Sequence, residues 1–153
     1  MNRITRILRA GVLGAALAAA AAQAQSPYVP QRPADDRLYQ AFGAQPGLVR
    51  LMDDFMTRLL ADARMGPFFK DADHRQVKEQ LVAQFCEVSG GPCRRDGPTM
   101  KESHEGMDIT KADFNALVEV LQDAMNAQGI PFTAQNRLLA QLAPMHRDIV
   151  NTP

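Results

Sequence analysis

Apolar residues recur at intervals of three and four positions from about residue 37 onward, which is the spacing of one helix face. No segment shows the sustained alternation of apolar and polar residues that is typical of a half-buried strand. Residues that terminate helices interrupt the pattern at Gly43, at Gly90-Gly91-Pro92 and at Gly129. The sequence therefore predicts an all-α domain.

Four substantial helices are predicted, over residues 47–61, 73–89, 110–128 and 133–149, with a short helix over 38–42 and one or two turns over 100–105. Asp73, Thr110 and Thr133 stand at N-cap positions, where a side-chain oxygen can accept a hydrogen bond from the first turn. The residues expected to face the core are Leu48, Leu51, Phe55, Leu59, Leu60, Val77, Leu81, Gln84, Phe85, Val88, Phe114, Leu117, Val118, Leu121, Met125, Leu138, Leu139, Leu142, Met145 and Ile149.

The first residues of the chain have the composition of a secretion signal. Three arginines precede a small, apolar run over 10–22, and Ala22-Gln23-Ala24 has the small-residue pattern of a signal-peptidase site. The run is shorter than the roughly 20 apolar residues that a membrane-spanning helix needs. We therefore expect a signal peptide over 1–24, cleaved after Ala24, and an exported protein without a stable membrane anchor, periplasmic if the source is Gram-negative.

Two further segments follow the predicted signal peptide. Residues 25–36 contain three prolines and are expected to form a flexible leader. Residues 37–150 are expected to form one domain, since 153 residues are too few for two. The whole chain has 17 basic and 17 acidic residues; without its first 24 residues it has 14 basic and 17 acidic, a charge of −3. Such a chain lacks the positive surface of a nucleic-acid-binding protein.

The two cysteines, Cys86 and Cys93, flank the predicted end of a helix. In an exported protein they are expected to form a disulfide with each other. Two buried free thiols or a pair of metal ligands are the alternatives, although neither CxxC nor CxxCH occurs in the chain.

Few residues offer other chemistry, because the chain has no Gly-rich phosphate loop and no Ser or Cys nucleophile motif. Its three histidines are the candidate metal ligands. His74 beside Asp73 is expected to be solvated or part of a helix cap, and His146 to be partly exposed. His104 lies in a short segment just before a capped helix, where a hydrogen-bonded histidine and a metal ligand are equally compatible with the sequence.

The segment that contains His104 resembles the truncated haemoglobins, specifically their group I. The resemblance rests on Gly90-Gly91-Pro92 between the cysteines, followed by Met100-Lys101-x-x-His104-x-x-Met107-x-Ile109-Thr110-x-x-x-Phe114. Further matches are Asp53-Asp54-Phe55, Leu60-Ala61-Asp62, Pro67-Phe68-Phe69 and Leu142-Ala143-Pro144-Met145. Together they cover about residues 37–150.

This resemblance implies a two-over-two helical sandwich that encloses haem b, iron protoporphyrin IX. His104 would be the proximal iron ligand, and its second ring nitrogen would need a hydrogen-bond acceptor. Phe69 would pack on the haem face. The other haem-contacting residues implied are Phe68, Met56, Val77, Gln80, Leu81, Met107, Ile109, Phe114 and Val118.

The distal side of the implied pocket departs from the family pattern. Met56 stands where many group I members have a tyrosine, and Val77 and Leu81 stand at the polar positions of the distal helix. Loss of a hydrogen bond to a charged acceptor, about 1.5–3 kcal/mol, should weaken oxygen binding about tenfold or more. Gln84 could still reach a distal gas ligand, and Gln80 is expected at the haem edge near a propionate. The sixth iron position is expected to be open or to hold water, with Met56 as an alternative ligand.

The loop between the cysteines and Met100 departs as well, since Arg95 stands where related sequences often have a tyrosine. Arg94 and Arg95 are expected to be solvated, or else to meet a haem propionate or an acidic redox partner.

The first functional hypothesis is a haem globin that reversibly binds a diatomic gas (oxygen, nitric oxide or carbon monoxide), as a monomer or weak dimer. The alternative is a haem redox enzyme, such as a nitric oxide dioxygenase or a weak peroxidase, with a possible redox partner. No distal His and Arg pair of the peroxidase type is visible, so a ligand-binding protein is favoured over a dedicated enzyme. A third hypothesis is a haem-free helical binding module.

Overall fold

The computed structural model describes residues 32–152, so the predicted signal peptide and residues 25–31 of the predicted leader lie outside the described residues. The described residues are all-helical, as predicted, and contain no strand. The helices are α1 (Arg37–Ala41), α2 (Ala44–Ala61), α3 (Gly66–Phe69), α4 (His74–Val88), α5 (Met100–His104), α6 (Lys111–Ala127), α7 (Phe132–Leu142) and α8 (His146–Ile149), with a 3₁₀ turn over Ala143–Met145 between the last two.

Side-chain caps begin three of these helices. Asp73 accepts a hydrogen bond from the backbone N–H of Gln76, and Thr110 forms a capping box with Asp113, both as predicted. Thr99 forms a second capping box, with Glu102, at the start of α5. Because these bonds span three residues, local sequence is sufficient to place them.

The predicted start and continuity of the last helix are wrong. The helix begins at Phe132 rather than after a Thr133 cap, because the carbonyl of Pro131 already accepts hydrogen bonds from the backbone N–H groups of Ala134 and Gln135. It ends at Leu142 instead of running to Ile149. Pro144 lacks the N–H that an α-helix needs there, and a 3₁₀ turn takes its place.

Helix α2 is three residues longer at its start than predicted. It begins directly after Gly43, whose φ of +77° lies in the left-handed region that favours glycine. Gly47 then allows close packing, since a Cβ there would stand 1.8 Å from the carbonyl oxygen of Phe42. Leu60, predicted to face the core, is 39% exposed because the buried face of the helix passes through Leu59 instead.

The core lies between the long helices. Helix α2 packs against α4 and α6, while α7 packs against both α4 and α6. Fully buried side chains at its centre include Leu48, Leu51, Met52, Leu59, Leu121, Met125 and Leu138. The short α5 contacts mainly α8.

Hydrogen bonds connect the first described residues to the end of α4 and the loop after it. Cys86 and Cys93 form the predicted disulfide, which links α4 to the loop after it. The Arg32 guanidinium donates a hydrogen bond to the carbonyl of Gly91, and the backbone N–H of Tyr39 donates to Ser89. Gly90 has φ +92°, and a Cβ there would stand 2.1 Å from the Asp35 carbonyl oxygen. The glycine pair therefore provides the surface on which residues 32–39 lie.

None of the helices that the structure describes combines the length and apolar character needed to cross a membrane.

Candidate functional site

His104 lies at the last position of α5, and the backbone of its own helix fixes its ring. The Nδ1 atom lies 2.6 Å from the carbonyl oxygen of Met100, four residues earlier. Since a carbonyl can only accept, Nδ1 is the donor in this contact, and in the neutral ring Nε2 then has the lone pair. The side chain is half-buried. Histidines that bind a metal through one ring nitrogen usually donate a hydrogen bond from the other, often to a backbone carbonyl.

Hydrogen bonds with residues outside its five positions hold both ends of α5. At the start, the backbone N–H and hydroxyl of Thr99 donate to the Glu102 carboxylate at 2.8 and 2.9 Å, which holds the pKa of that carboxyl below its usual range. At the end, the Asn151 amide donates to the carbonyl of His104 at 2.8 Å. The C-terminal segment thus buttresses the helix that carries the histidine.

Several of the predicted haem-contacting residues lie apart from the central core. Met56 on α2 and Ile109 before α6 are buried, at 4% and 7% exposure, yet neither belongs to the main hydrophobic cluster. Val77 on α4, and Phe114 and Val118 on α6, are half-buried and also outside it. Met107, between α5 and α6, is 37% exposed. These apolar side chains are not part of the central core, which is compatible with the haem contacts that the family resemblance implies.

Other predicted haem-contacting residues belong to the margin of the core. Phe68 and Phe69 on α3 and Leu81 on α4 are half-buried and pack against the main cluster. His74 donates to the backbone next to them, since its Nε2 lies 2.8 Å from the carbonyl oxygen of Phe69. Since a carbonyl accepts, His74 is the donor and fixes the end of α3. This positioning role adds to the solvated or capping role predicted for His74.

Gln80 has the only buried side-chain N or O atom without a hydrogen-bond partner among the described residues, its Oε1. The atom lies near the loop after α4, since a Cβ on Gly97 would be 3.6 Å from it. A buried amide with an unmatched atom costs free energy unless another polar group completes its hydrogen bonding. The position is compatible with the predicted place of Gln80 at a haem edge.

Gln84 is buried, and its amide nitrogen contacts the sulfur atoms of two methionines. Its Nε2 lies 3.0 Å from the Sδ of Met145 and 3.8 Å from the Sδ of Met100. Its described hydrogen bonds include none to a residue of α2, the helix that carries Met56. The amide therefore contacts α5 and the 3₁₀ turn, which the sequence did not indicate.

His146 contacts a residue of the predicted pocket wall. Its ring stands edge-on to that of Phe114, with centroids 4.9 Å apart and planes at 77°. The side chain is half-buried, in agreement with the partial exposure predicted. Spacing along the chain carries no signal for this contact, because the two residues belong to different helices.

The two arginines of the loop share one acidic neighbour. The Arg94 guanidinium lies 3.7 Å from the Glu87 carboxylate, and the backbone N–H of Arg95 donates to the same carboxylate at 3.1 Å. The Arg94 side chain is 61% exposed. These contacts tie the loop to the end of α4.

Comparison with known proteins gives a consistent result. The family model described as bacterial-like globin matches residues 37–151. The group 1 truncated hemoglobin GlbN of Mycolicibacterium paratuberculosis is 30% identical over 112 residues, which cover 73% of this chain and 82% of that protein.

Solved structures show the same fold. The Fe(III) form of truncated hemoglobin from Tetrahymena pyriformis matches with a TM-score of 0.71 and 25% identity, covering 74% of this chain and 97% of that one. The 2/2 hemoglobin from Synechococcus, solved with covalently attached heme, matches with a TM-score of 0.70 and 22% identity, covering 74% and 98%. This chain therefore belongs to the bacterial-like globin family as a group 1 truncated haemoglobin, with the two-over-two helical fold of that group.

Proposed function

We propose that this truncated haemoglobin holds haem b through His104 and reversibly binds a diatomic gas, either oxygen, nitric oxide or carbon monoxide. The observation that carries the proposal is the 2.6 Å contact between His104 Nδ1 and the Met100 carbonyl, which leaves Nε2 free to coordinate iron. When bound, haem would supply an iron atom that can coordinate the gas.

The proximal residues orient and polarise the imidazole. Donation from Nδ1 to a backbone carbonyl raises the basicity of Nε2 and prevents the ring from rotating. The capping box of Thr99 and Glu102 keeps α5 helical, and the Asn151 amide holds its last carbonyl. The acceptor for Nδ1 therefore stays in place as long as this short helix does.

On the distal side, the chain offers apolar contact in place of hydrogen-bond donors. Met56, Val77 and Leu81 carry no N–H or O–H in their side chains. A bound gas that takes on negative charge therefore lacks the stabilisation of about 1.5–3 kcal/mol that a donor would add. We expect oxygen to be held about tenfold or more weakly than in a pocket with such a donor. This favours reversible binding over tight storage.

Gln80 is proposed to meet the polar edge of the cofactor. Its amide has a buried atom without a partner in the described protein and lies close to the loop at Gly97. A haem propionate is an acceptor, so the amide N–H₂ would donate to it after rotation of the amide by a half turn.

The proposal is tested by the absorption spectrum of purified protein in its ferric, ferrous and carbon-monoxide-bound forms. Wild-type protein should show a Soret band that shifts with carbon monoxide. His104→Ala should lose or displace the band. His74→Ala is the matched control: it removes another half-buried imidazole that donates to a backbone carbonyl, but one outside the segment that resembles the family's ligand position, so the band should remain. A His104→Ala spectrum equal to that of wild type would disprove the assignment.

We further propose that the protein acts in an oxidising compartment after export. The signal-like pattern over 1–24 and the Cys86–Cys93 disulfide support this. Intact mass of the protein from fractionated cells of its source should correspond to a chain that begins at Gln25. An uncleaved chain in the cytosolic fraction would contradict the proposal.

A further inference from the structure

Gln84 is one of three buried polar residues in the described chain. Of the three, it is the one whose polar group contacts methionine sulfur atoms. The hydroxyl of Ser89 donates to the carbonyl of Phe85, and the amide of Gln135 donates to Asn126 and to the Ile130 carbonyl. Gln84 instead contacts Met145 and Met100. A buried amide is expensive to place among thioethers, so its position needs an explanation beyond ordinary core packing.

The orientation of this amide follows from the chemistry of its neighbours. A thioether sulfur can accept a hydrogen bond but cannot donate one. If the amide were turned over, its oxygen would face sulfur lone pairs at 3.0 Å. The N–H₂ group therefore points at Met145, with Met100 at the edge of its reach.

One of the two methionines lies on the helix of His104, and the other lies on the turn before the helix that packs against it. Met100 is the first residue of α5, and its carbonyl oxygen accepts the His104 Nδ1 proton. Met145 ends the 3₁₀ turn that leads into α8, and α8 packs against α5. The amide of Gln84 thus contacts the side chain of Met100, whose carbonyl orients His104, and also the turn that leads into α8.

We propose that Gln84 is a positioning residue for His104: through Met100 and Met145 it sets the placement of α5 and hence the direction of the imidazole Nε2. This inference deepens the proposed function and rests on it, because it assumes that His104 coordinates haem iron. The effect of Gln84 is exerted on the proximal side, where its contacts lie.

The test uses the full mature chain with haem and follows the iron–histidine stretching band of the ferrous protein by resonance Raman spectroscopy. Gln84→Met removes the N–H donor and keeps nearly the same volume. It should shift or broaden the iron–histidine band. It should also speed haem transfer to a haem-free acceptor globin by about threefold to tenfold. That effect is smaller than the ~10–100-fold loss of metal affinity typical when a group bonded directly to the ligand is changed. Wild-type values for both would overturn the proposal.

Gln135→Met is the matched control. Gln135 is as buried as Gln84, but its amide bonds to Asn126 and to the carbonyl of Ile130. The substitution should lower the free energy of unfolding and leave the iron–histidine band unchanged. A band shift equal to that of Gln84→Met would show a general effect of destabilisation and overturn the proposal.

Met100→Leu provides a second route if Gln84→Met fails to fold. It keeps the backbone carbonyl that holds His104 but removes the sulfur atom, so it should change the band in the same direction. In the double variant the change should be smaller than the sum of the two single changes, because only the Gln84 contact with Met145 is left to lose; fully additive changes would contradict action through Met100. If His104→Ala retains the wild-type band, the iron assignment itself is wrong, and both proposals fall.

Discussion

The Nδ1 atom of His104 lies 2.6 Å from the carbonyl oxygen of Met100, so the imidazole is oriented by the helix that carries it. A backbone acceptor cannot be removed by changing a side chain. Its position depends on α5 remaining helical, and a helix of five residues has little helical stability of its own. The cap of this helix is therefore predicted to affect the site.

Thr99→Ala should weaken haem retention more than Thr110→Ala does. Each threonine caps a helix through the same kind of box, and each loss should cost about 1 kcal/mol of free energy of unfolding. The 17-residue α6 stays helical through its packing, whereas α5 frays and moves the Met100 carbonyl. Urea unfolding and haem-transfer rates measure the two effects. Equal haem-transfer rates for the two variants would contradict the prediction.

Leu81→Gln should slow oxygen dissociation by about tenfold, because the amide introduces a donor on the distal helix at little change in volume. Leu139→Gln is the control, a half-buried leucine of α7 that packs on the core. Stopped-flow displacement of oxygen by carbon monoxide reports the rate. An unchanged rate in Leu81→Gln would mean that this side chain does not face the bound gas.

Reduction of the Cys86–Cys93 disulfide should lower the free energy of unfolding by about 2 kcal/mol. The value is modest because the two cysteines are only seven positions apart, and a short loop loses little entropy when it is closed. Denaturant titrations with and without a thiol reductant measure the difference. A variant with both cysteines changed to serine should be equally unstable in both conditions. Sensitivity of that variant to the reductant would show that the effect does not come from this bond.

Asp62 should contribute to stability in a pH-dependent way. Hydrogen bonds from the Arg64 side chain and backbone, with one from the Met65 backbone, lower its pKa from 3.8 to about 2. A depressed folded-state pKa means that the contribution is fully present above the unfolded-state value of 3.8 and is lost as pH falls toward 2.

Asp62→Asn should therefore be less stable than wild type at neutral pH, and the difference should shrink between about pH 4 and pH 2. Urea midpoints across this range measure it. Asp71→Asn is the control, since that carboxylate is 89% exposed and lies 3.9 Å from Lys70. A difference between Asp62→Asn and wild type that is constant with pH would refute the linkage.

Local features of the fold could be predicted because they depend on residues close together in the chain. The caps of Asp73 and Thr110 are hydrogen bonds across three positions, and the glycine at 90 stops α4 by its own conformational freedom. The disulfide is equally local. Two local predictions failed. The Thr133 cap is absent because the Pro131 carbonyl accepts the first hydrogen bonds of that helix. Leu60 is exposed because the buried face of α2 contains Leu59.

The candidate ligand, by contrast, was recognised by the pattern of residues around it and not by its contacts. His104 was distinguished from His74 and His146 because its segment resembles that of a known family. The carbonyl that holds its ring is four residues away, within reach of sequence reasoning once a helix is placed over 100–104. The contacts of Gln84 with Met100 and Met145 were not within such reach.

The sequence by itself predicted the all-helical class, the caps of Asp73 and Thr110 and the disulfide, because each depends on periodicity or on groups within a few residues. His104 was indicated as the candidate iron ligand by the resemblance of its segment to a family. Only the tertiary structure decided that Gln84 contacts Met145, 61 positions away, and that His146 stands against Phe114. Those contacts arise when helices distant in the chain pack together, and the direction of a side chain between them depends on the packing of all of its neighbours.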